Sequence, residues 1–180
     1  MKKNVLVFGL ISGLLITTMM VVSVGMCYRK GDFKGNEVLG YTGMLVAFSF
    51  IFIGIKNYRD KYNNGAITFG KAFKTGLLIS LVASTMYVVV WLIDYYLFLP
   101  DFMDKYCTHV INMSKADGAT SIELAKKTDQ MQSFKKMYEN PLFVILFTYI
   151  EVLPIGLIVS IISALILKRK PRNPAVAMAG

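Results

Sequence analysis

Four long apolar runs separated by polar stretches set the pattern of this chain: Asn4 to Tyr28, Val38 to Ile55, Gly76 to Leu99 and Leu142 to Leu167. A helix needs about 20 apolar residues to cross a hydrocarbon core, and the runs lie near that length. They are continuous, whereas the strands of a membrane barrel alternate apolar and polar positions over about ten residues. Inside lipid every backbone polar group needs a partner, and a helix pairs its own. The expectation is an all-α integral membrane protein, four transmembrane helices in a bundle, forming one domain over residues 1–170. The first two runs carry no charge. The second is the shortest, and partial burial of its flanks can lengthen it.

The loop of residues 100–141 has a period of its own. Phe102, Tyr106, Val110 and Met113 fall on one side of a helix. The stretch "KADGA" breaks it, Thr120 with Glu123 makes a capping-box pattern, and Leu124, Met131, Phe134, Met137 and Tyr138 predict a second amphipathic helix ending before Pro141. About forty residues cannot build an independent core. This amphipathic hairpin must therefore lean on the end of the bundle or on the membrane. The basic tail, with Pro171 and Pro174, predicts disorder over 171–180.

Small residues recur four apart in each span: Gly9, Gly13 and Thr17; Gly43 and Ala47; Gly76, Ser80 and Ser84; Gly156, Ser160 and Ala164. Each set lies on one helix face, where backbones approach closely in lipid. Packing within the chain is the expected use, with self-association the alternative.

The stretch "GAITFGKAFK" has the spacing of a phosphate-binding loop at Gly65, Gly70 and Lys71. Ala72 stands where that loop needs a hydroxyl for Mg²⁺, and the preceding "KNYRDKYNN" is no buried strand. Asn63, Asn64 and Gly65 instead predict a turn, and Thr68 caps a helix from Phe69 into the third span. Phe69 and Phe73 share a face and Lys71 and Lys74 point elsewhere, as in a membrane-surface lead-in helix with lysines at the headgroups.

Composition adds class and orientation. The 180 residues are 55% hydrophobic, with a mean hydropathy of +0.53, above the range of ordinary soluble domains. Orientation follows the density of Lys and Arg. One side receives Lys2, Lys3, Lys56, Arg59, Lys61, Lys71, Lys74, Lys168, Arg169, Lys170 and Arg172. The other receives Arg29, Lys30, Lys34 and a long loop whose six lysines are matched by six acids. Both termini are expected in the cytoplasm and the long loop in the periplasm of a bacterial inner membrane. The net charge of +9 then reflects attraction to an anionic inner leaflet, about 1 kcal/mol per well-placed cation, rather than nucleic-acid binding. The first span reads as retained, because Met26 is too large before Cys27 for lipoprotein cleavage and the run exceeds a signal-peptide core.

Glu151 is the chemically unusual residue. It lies about 13 Å into the fourth span, where a carboxyl costs a few kcal/mol and calls for a partner, a proton or a water-filled cavity. Pro154 frees the carbonyl of Ile150, to which a neutral Glu151 can donate. That structural staple and a proton or ion relay both remain open, with Gly156 on the same stretch. Asp94, in "WLIDYYLF", reads as part of an interfacial aromatic belt with Trp91, Tyr95 and Tyr96. Cys27 and Cys107 fall on the same side and are candidates for a disulfide in an oxidising periplasm. His109 with Met103, Cys107 and Met113 does not make a single helical metal site, since His109 and Cys107 diverge by about 200°. No catalytic constellation or cofactor motif emerges.

The stretches "GAITFGKAFKTGLLIS", "YYLFLPDFMDKY" and "EVLPIGLIVSIISALILKRK" together resemble a family of small Bacteroidota membrane proteins catalogued as domain of unknown function 4199. The resemblance spans roughly Asn4 to Lys170. It implies a four-span inner-membrane protein with a long loop between spans three and four. Glu151, Pro154 and Gly156 match its pattern without a known role. The preferred expectation is a non-enzymatic scaffold or accessory subunit meeting an unidentified envelope partner through its outer loop. The alternative is a small oligomeric proton-coupled transporter or channel-like protein using Glu151. An enzyme comes third, with no nucleophile to name.

Overall fold

The structure, a computed structural model, describes residues 1–31, 33 and 37–170, and of 37–39 the backbone alone. Lys34 and the tail from Pro171, with Arg172 and Pro174, lie outside the described residues. Helices follow one another as α1 (Lys2–Lys30), α2 (Glu37–Tyr62), α3 (Phe69–Ile93), α4 (Phe102–Ala116), α5 (Ser121–Tyr138) and α6 (Pro141–Leu167), with a π-helical turn at Asp94–Phe98. Four of them, α1, α2, α3 and α6, are long and apolar enough to cross a membrane. Even α3, at 25 residues, is about 37 Å long against roughly 30 Å of hydrocarbon.

The second helix outlasts its apolar run. α2 runs on through "KNYRDKY" to Tyr62, because a helix that leaves the hydrocarbon keeps its own hydrogen bonds whatever its side chains. Its polar extension is held in place: Asn57 Nδ2 donates to Asn4 Oδ1 at 2.6 Å, and Asn4 Nδ2 donates to the Gly54 carbonyl at 2.9 Å. Asn4 is 4% exposed, so it belongs to the interior rather than to a lipid-facing start of the first span.

α3 packs on α1 and α6, and α2 on α1, α3 and α6. Large aliphatic side chains point away from these contacts, among them Leu6, Leu14, Ile150, Ile158 and Ile166. Small and hydroxyl residues point in: Ser12, Ser80, Ser84, Ser160, Ala47 and Ala164 are fully buried. Apolar burial drives no association between helices already in lipid, so close approach and hydrogen bonds must hold them. The glycines show how close. A Cβ on Gly9 would lie 2.7 Å from Val82, one on Gly13 2.9 Å from Met86 Sδ, and one on Gly76 3.0 Å from Ser160. Ser12 Oγ donates to the Ala47 carbonyl at 2.7 Å. The small faces read from the sequence are occupied by neighbours in the same chain.

At the end of the molecule where α1 begins and α6 stops, Asn64 and Gly65 take positive φ values of 51° and 73°, closing the turn after α2. Asn63 accepts from Lys71 Nζ at 2.9 Å. Thr68 occupies the N-cap of α3 in extended conformation, but its side chain makes no capping bond. Phe69 and Phe73 stack at 6.0 Å. Ile67 and Arg169 exchange two backbone hydrogen bonds of 2.8 and 2.9 Å, tying the end of α6 to this turn.

At the opposite end, α3 loosens into the π-helical turn and stops at Leu99, which precedes Pro100 and is pushed out of the helical region by its ring. α4 and α5 pack together and α5 on α6. Gly118, at φ 82°, makes the reversal, and both halves of the Thr120–Glu123 capping box are present. Asn140 and Pro141 start α6, Asn140 Oδ1 accepting from Leu142 N–H at 3.0 Å.

Candidate functional site

Glu151 lies in the half of α6 nearer α4 and α5. Two adjoining cavities of about 150 and 320 Å³ meet at its side chain, and both are also bordered by Met20, Val24 and Tyr87. The smaller reaches Ile16 and Met19 on α1 and Gly40, Gly43 and Met44 on α2. The larger is closed by Trp91, Phe102, Tyr106, Tyr138 and Thr148. Side chains from all six helices thus converge on one carboxyl. Glu151 itself is exposed, and both cavities open beside it.

The staple expected at Pro154 is not formed. α6 continues through Pro154, and Glu151 makes no hydrogen bond to the described residues. The neighbouring hydroxyl of Thr148 is turned back onto the Val144 carbonyl at 2.7 Å. Three further buried hydroxyls, of Thr17, Ser80 and Ser84, have no hydrogen-bond partner among the described residues. Gly156, just over one turn beyond Glu151, lets α6 approach α3: a Cβ there would lie 2.9 Å from Ser80 Cβ and 3.2 Å from Phe48. Gly156 therefore positions the helix that carries the carboxyl.

An aromatic cluster roofs the larger cavity. Trp91 meets Phe102 edge to face at 5.3 Å, Tyr95 meets Tyr138 at 5.8 Å, and Tyr138 stacks on Phe147 at 6.1 Å. The Tyr138 phenol is pushed up to about 12, first by burial and then by the negative charge of Glu151, so it keeps its proton. Asp94 sits at the edge of this cluster as the sequence placed it, beside Trp91, Tyr95 and Tyr96, which contact one another.

Exposed ion pairs hold the cover. Tyr28 donates its hydroxyl to Asp101, Lys105 pairs with Asp101 at 3.0 Å, and the same ammonium lies 3.8 Å over the Tyr28 ring. The Tyr28 hydroxyl, then Lys105, holds the Asp101 carboxyl below the usual range, and Asp101 in turn raises Lys105. Lys135 pairs with Asp104 across α4 and α5.

Cys27 and Cys107, the candidate disulfide pair, are both free thiols in the structure. Cys107 faces α5, its Sγ 3.6 Å from the Met131 carbonyl. Burial, then the charge of Asp104, raises this thiol above its ordinary value, which leaves little thiolate for reaction. His109 packs against the Phe33 ring at 5.8 Å.

The fold and site define a class: a protein all-helical over its described residues, with four helices long and apolar enough to cross a membrane and an ionisable side chain bordering two cavities. Within that class the chain belongs to the family described as Protein of unknown function (DUF4199), whose sequence model matches residues 7–169. No curated protein and no solved structure matches it.

Proposed function

We propose that this chain is a non-enzymatic multi-pass protein of the bacterial inner membrane, working as a small proton-coupled transporter or channel-like unit through Glu151. Its four long helices form a bundle, α4 and α5 make a hairpin over the periplasmic end, and both termini lie in the cytoplasm. Basic residues at the termini and around the α2 to α3 turn then face the anionic inner leaflet. The observation that supports transport over scaffolding is the meeting of two cavities at Glu151. An intramembrane carboxyl with no intrachain hydrogen bond to the described residues is a costly feature unless the carboxyl changes its proton or its partner during function. A single copy encloses little room, so several copies working together are the natural form of such a unit.

The test is flux. Purified protein in liposomes should carry a proton current under an imposed gradient that Glu151→Gln abolishes while the variant keeps its helical content and elution volume. Wild-type vesicles no leakier than empty ones would refute the reading. Orientation is checked with Ser133→Cys and Lys170→Cys in a background of Cys27→Ser and Cys107→Ser. A membrane-impermeant thiol reagent on cells with a permeabilised outer membrane should label the first and spare the second.

One observation favours the scaffold reading. α5 presents an open groove lined by Lys126, Asp129, Gln130, Met131 and Ser133, with Ile122 83% exposed nearby, a surface on which an envelope partner can dock. A stoichiometric second protein retained on purification from native membranes, and lost on deletion of 114–138, would support it.

A further inference from the structure

We infer that the Glu151 cavity is a binding site for a small lipophilic organic cation, an aromatic or alkyl ammonium. The inference rests on the reading of Glu151 as a working carboxyl and adds the class of ligand. Among the described residues bordering either cavity, Glu151 is the sole carboxyl, and neither Lys nor Arg is there to pair with an anion. An anion would find no countercharge there, and a neutral ligand would leave the carboxylate uncompensated in a desolvated wall.

The remaining walls distinguish an organic cation from a metal ion. A hard cation such as Ca²⁺ takes six to eight oxygen ligands, and one carboxylate with a few hydroxyls falls short of that shell. What surrounds Glu151 is aromatic: Tyr87, Trp91, Phe102, Tyr106 and Tyr138, joined by the thioether of Met20. The faces of such rings attract ammonium groups, most strongly when water is excluded, and rings arranged around a charged centre are the recurrent answer to quaternary ammonium ligands. The larger cavity, about 320 Å³, falls at the lower end of the roughly 300–1,000 Å³ of small-molecule sites. The ammonium would sit beside Glu151, and its apolar substituent among the rings under α4 and α5.

Trp91 is the chain's one tryptophan and borders the larger cavity, so binding carries its own reporter. The experiment is a titration of the full chain in phosphatidylcholine nanodiscs, following Trp91 emission, with benzyltrimethylammonium and its uncharged isostere neopentylbenzene. The expected result is a saturable change with the cation and a linear partition signal with the isostere. Glu151→Gln should weaken the cation at least tenfold. Phe102→Leu, which keeps the charge and removes one ring, should weaken it about threefold. Saturable binding of the isostere as tight as that of the cation, or no saturable change with the cation in the wild type, overturns the inference without needing any variant to fold. Equal cation affinity in well-folded Glu151→Gln overturns it as well. Failure here is separable from failure of the transport reading. Glu151-dependent proton flux without cation binding leaves transport standing and removes this ligand class, whereas cation binding without flux leaves a binding site and removes transport.

Discussion

The contact between α3 and α6 gives a quantitative test of how this fold is held, at Gly156. A Cβ there would come within 2.9 Å of Ser80 Cβ, nearer still to Ser80 Oγ, and within 3.2 Å of Phe48. The hydroxyl can rotate away, but Ser80 Cβ is fixed to a helix backbone, so Gly156→Ala must push α3 and α6 apart. Overfilling a packed site of this kind costs typically 1–3 kcal/mol. Replacing a mid-helix glycine by alanine returns about 0.5–1 kcal/mol in helix preference, and the expected net loss is about 1–2 kcal/mol. Reversible unfolding in mixed micelles by added dodecyl sulfate, followed by Trp91 emission, measures it. Ser80→Gly removes the opposing Cβ, so the double variant should recover most of the loss, with a coupling energy of about 1 kcal/mol or more. Ser80→Ala alone should be near neutral, because the hydroxyl it deletes is buried without a partner among the described residues. Gly25→Ala and Gly70→Ala are the controls, since a Cβ at either meets nothing within 4 Å. A Gly156→Ala variant as stable as the wild type, or a loss unchanged in the Ser80→Gly background, would refute the account.

Four further outcomes are expected. Asn4→Ala should cost about 1–2 kcal/mol in the same unfolding assay, by removing a buried donor to Gly54 and the acceptor of Asn57. Thr120→Ala should cost α5 about 1 kcal/mol of helix stability, read as faster amide exchange over 121–124, because the Thr120 hydroxyl that accepts from the Glu123 N–H is lost. The Asp101 carboxyl is depressed below its ordinary 3.8, chiefly by the Tyr28 hydroxyl; its contribution to stability is present above 3.8 and lost as pH falls through the depressed value. Acid undocking of α4, read from Trp91 against Phe102, should therefore have a midpoint below 3.8, and Tyr28→Phe should raise it. Glu151→Leu should raise the unfolding free energy by about 1–2 kcal/mol while eliminating flux, and a lowered value would show Glu151 to be a structural bond-maker.

Much of the frame was legible in the sequence because lipid imposes a length and a polarity on each span. The small-residue spacing was legible for the same reason, since close approach in lipid demands small side chains at every fourth position. The end of α2 was not, because hydropathy marks where a helix leaves the hydrocarbon and says nothing of where it stops. Asn4 was passed over as the polar start of an apolar run, although its partner Asn57 lies 53 positions away and only the fold pairs them. Glu151 stood out by its charge. Its surroundings did not, because Met20, Tyr87, Trp91, Tyr106 and Tyr138 come from four different helices, and each alone is ordinary interior or interfacial sequence.

The distribution of close contacts ranks the ways in which Glu151 can be exposed. Toward the termini the helices touch through Gly9, Gly54, Gly76 and Gly156, none of which has room for another carbon. Separating them would forfeit the dispersion contacts and buried hydrogen bonds that replace the hydrophobic effect between helices in lipid. Toward α4 and α5 the same helices diverge around methionine and aromatic side chains and leave two cavities. The cover over these cavities is fastened to α1 by the Tyr28 hydroxyl on Asp101 and to α3 and α6 by ring contacts that can slide, whereas the exposed Asp101–Lys105 and Asp104–Lys135 pairs lie within it. Lifting α4 and α5 is thus the cheaper movement, and the Gly156 contact the dearer one. The transport reading therefore predicts access to Glu151 from the α4 and α5 side first, which is also where a ligand among the rings would enter.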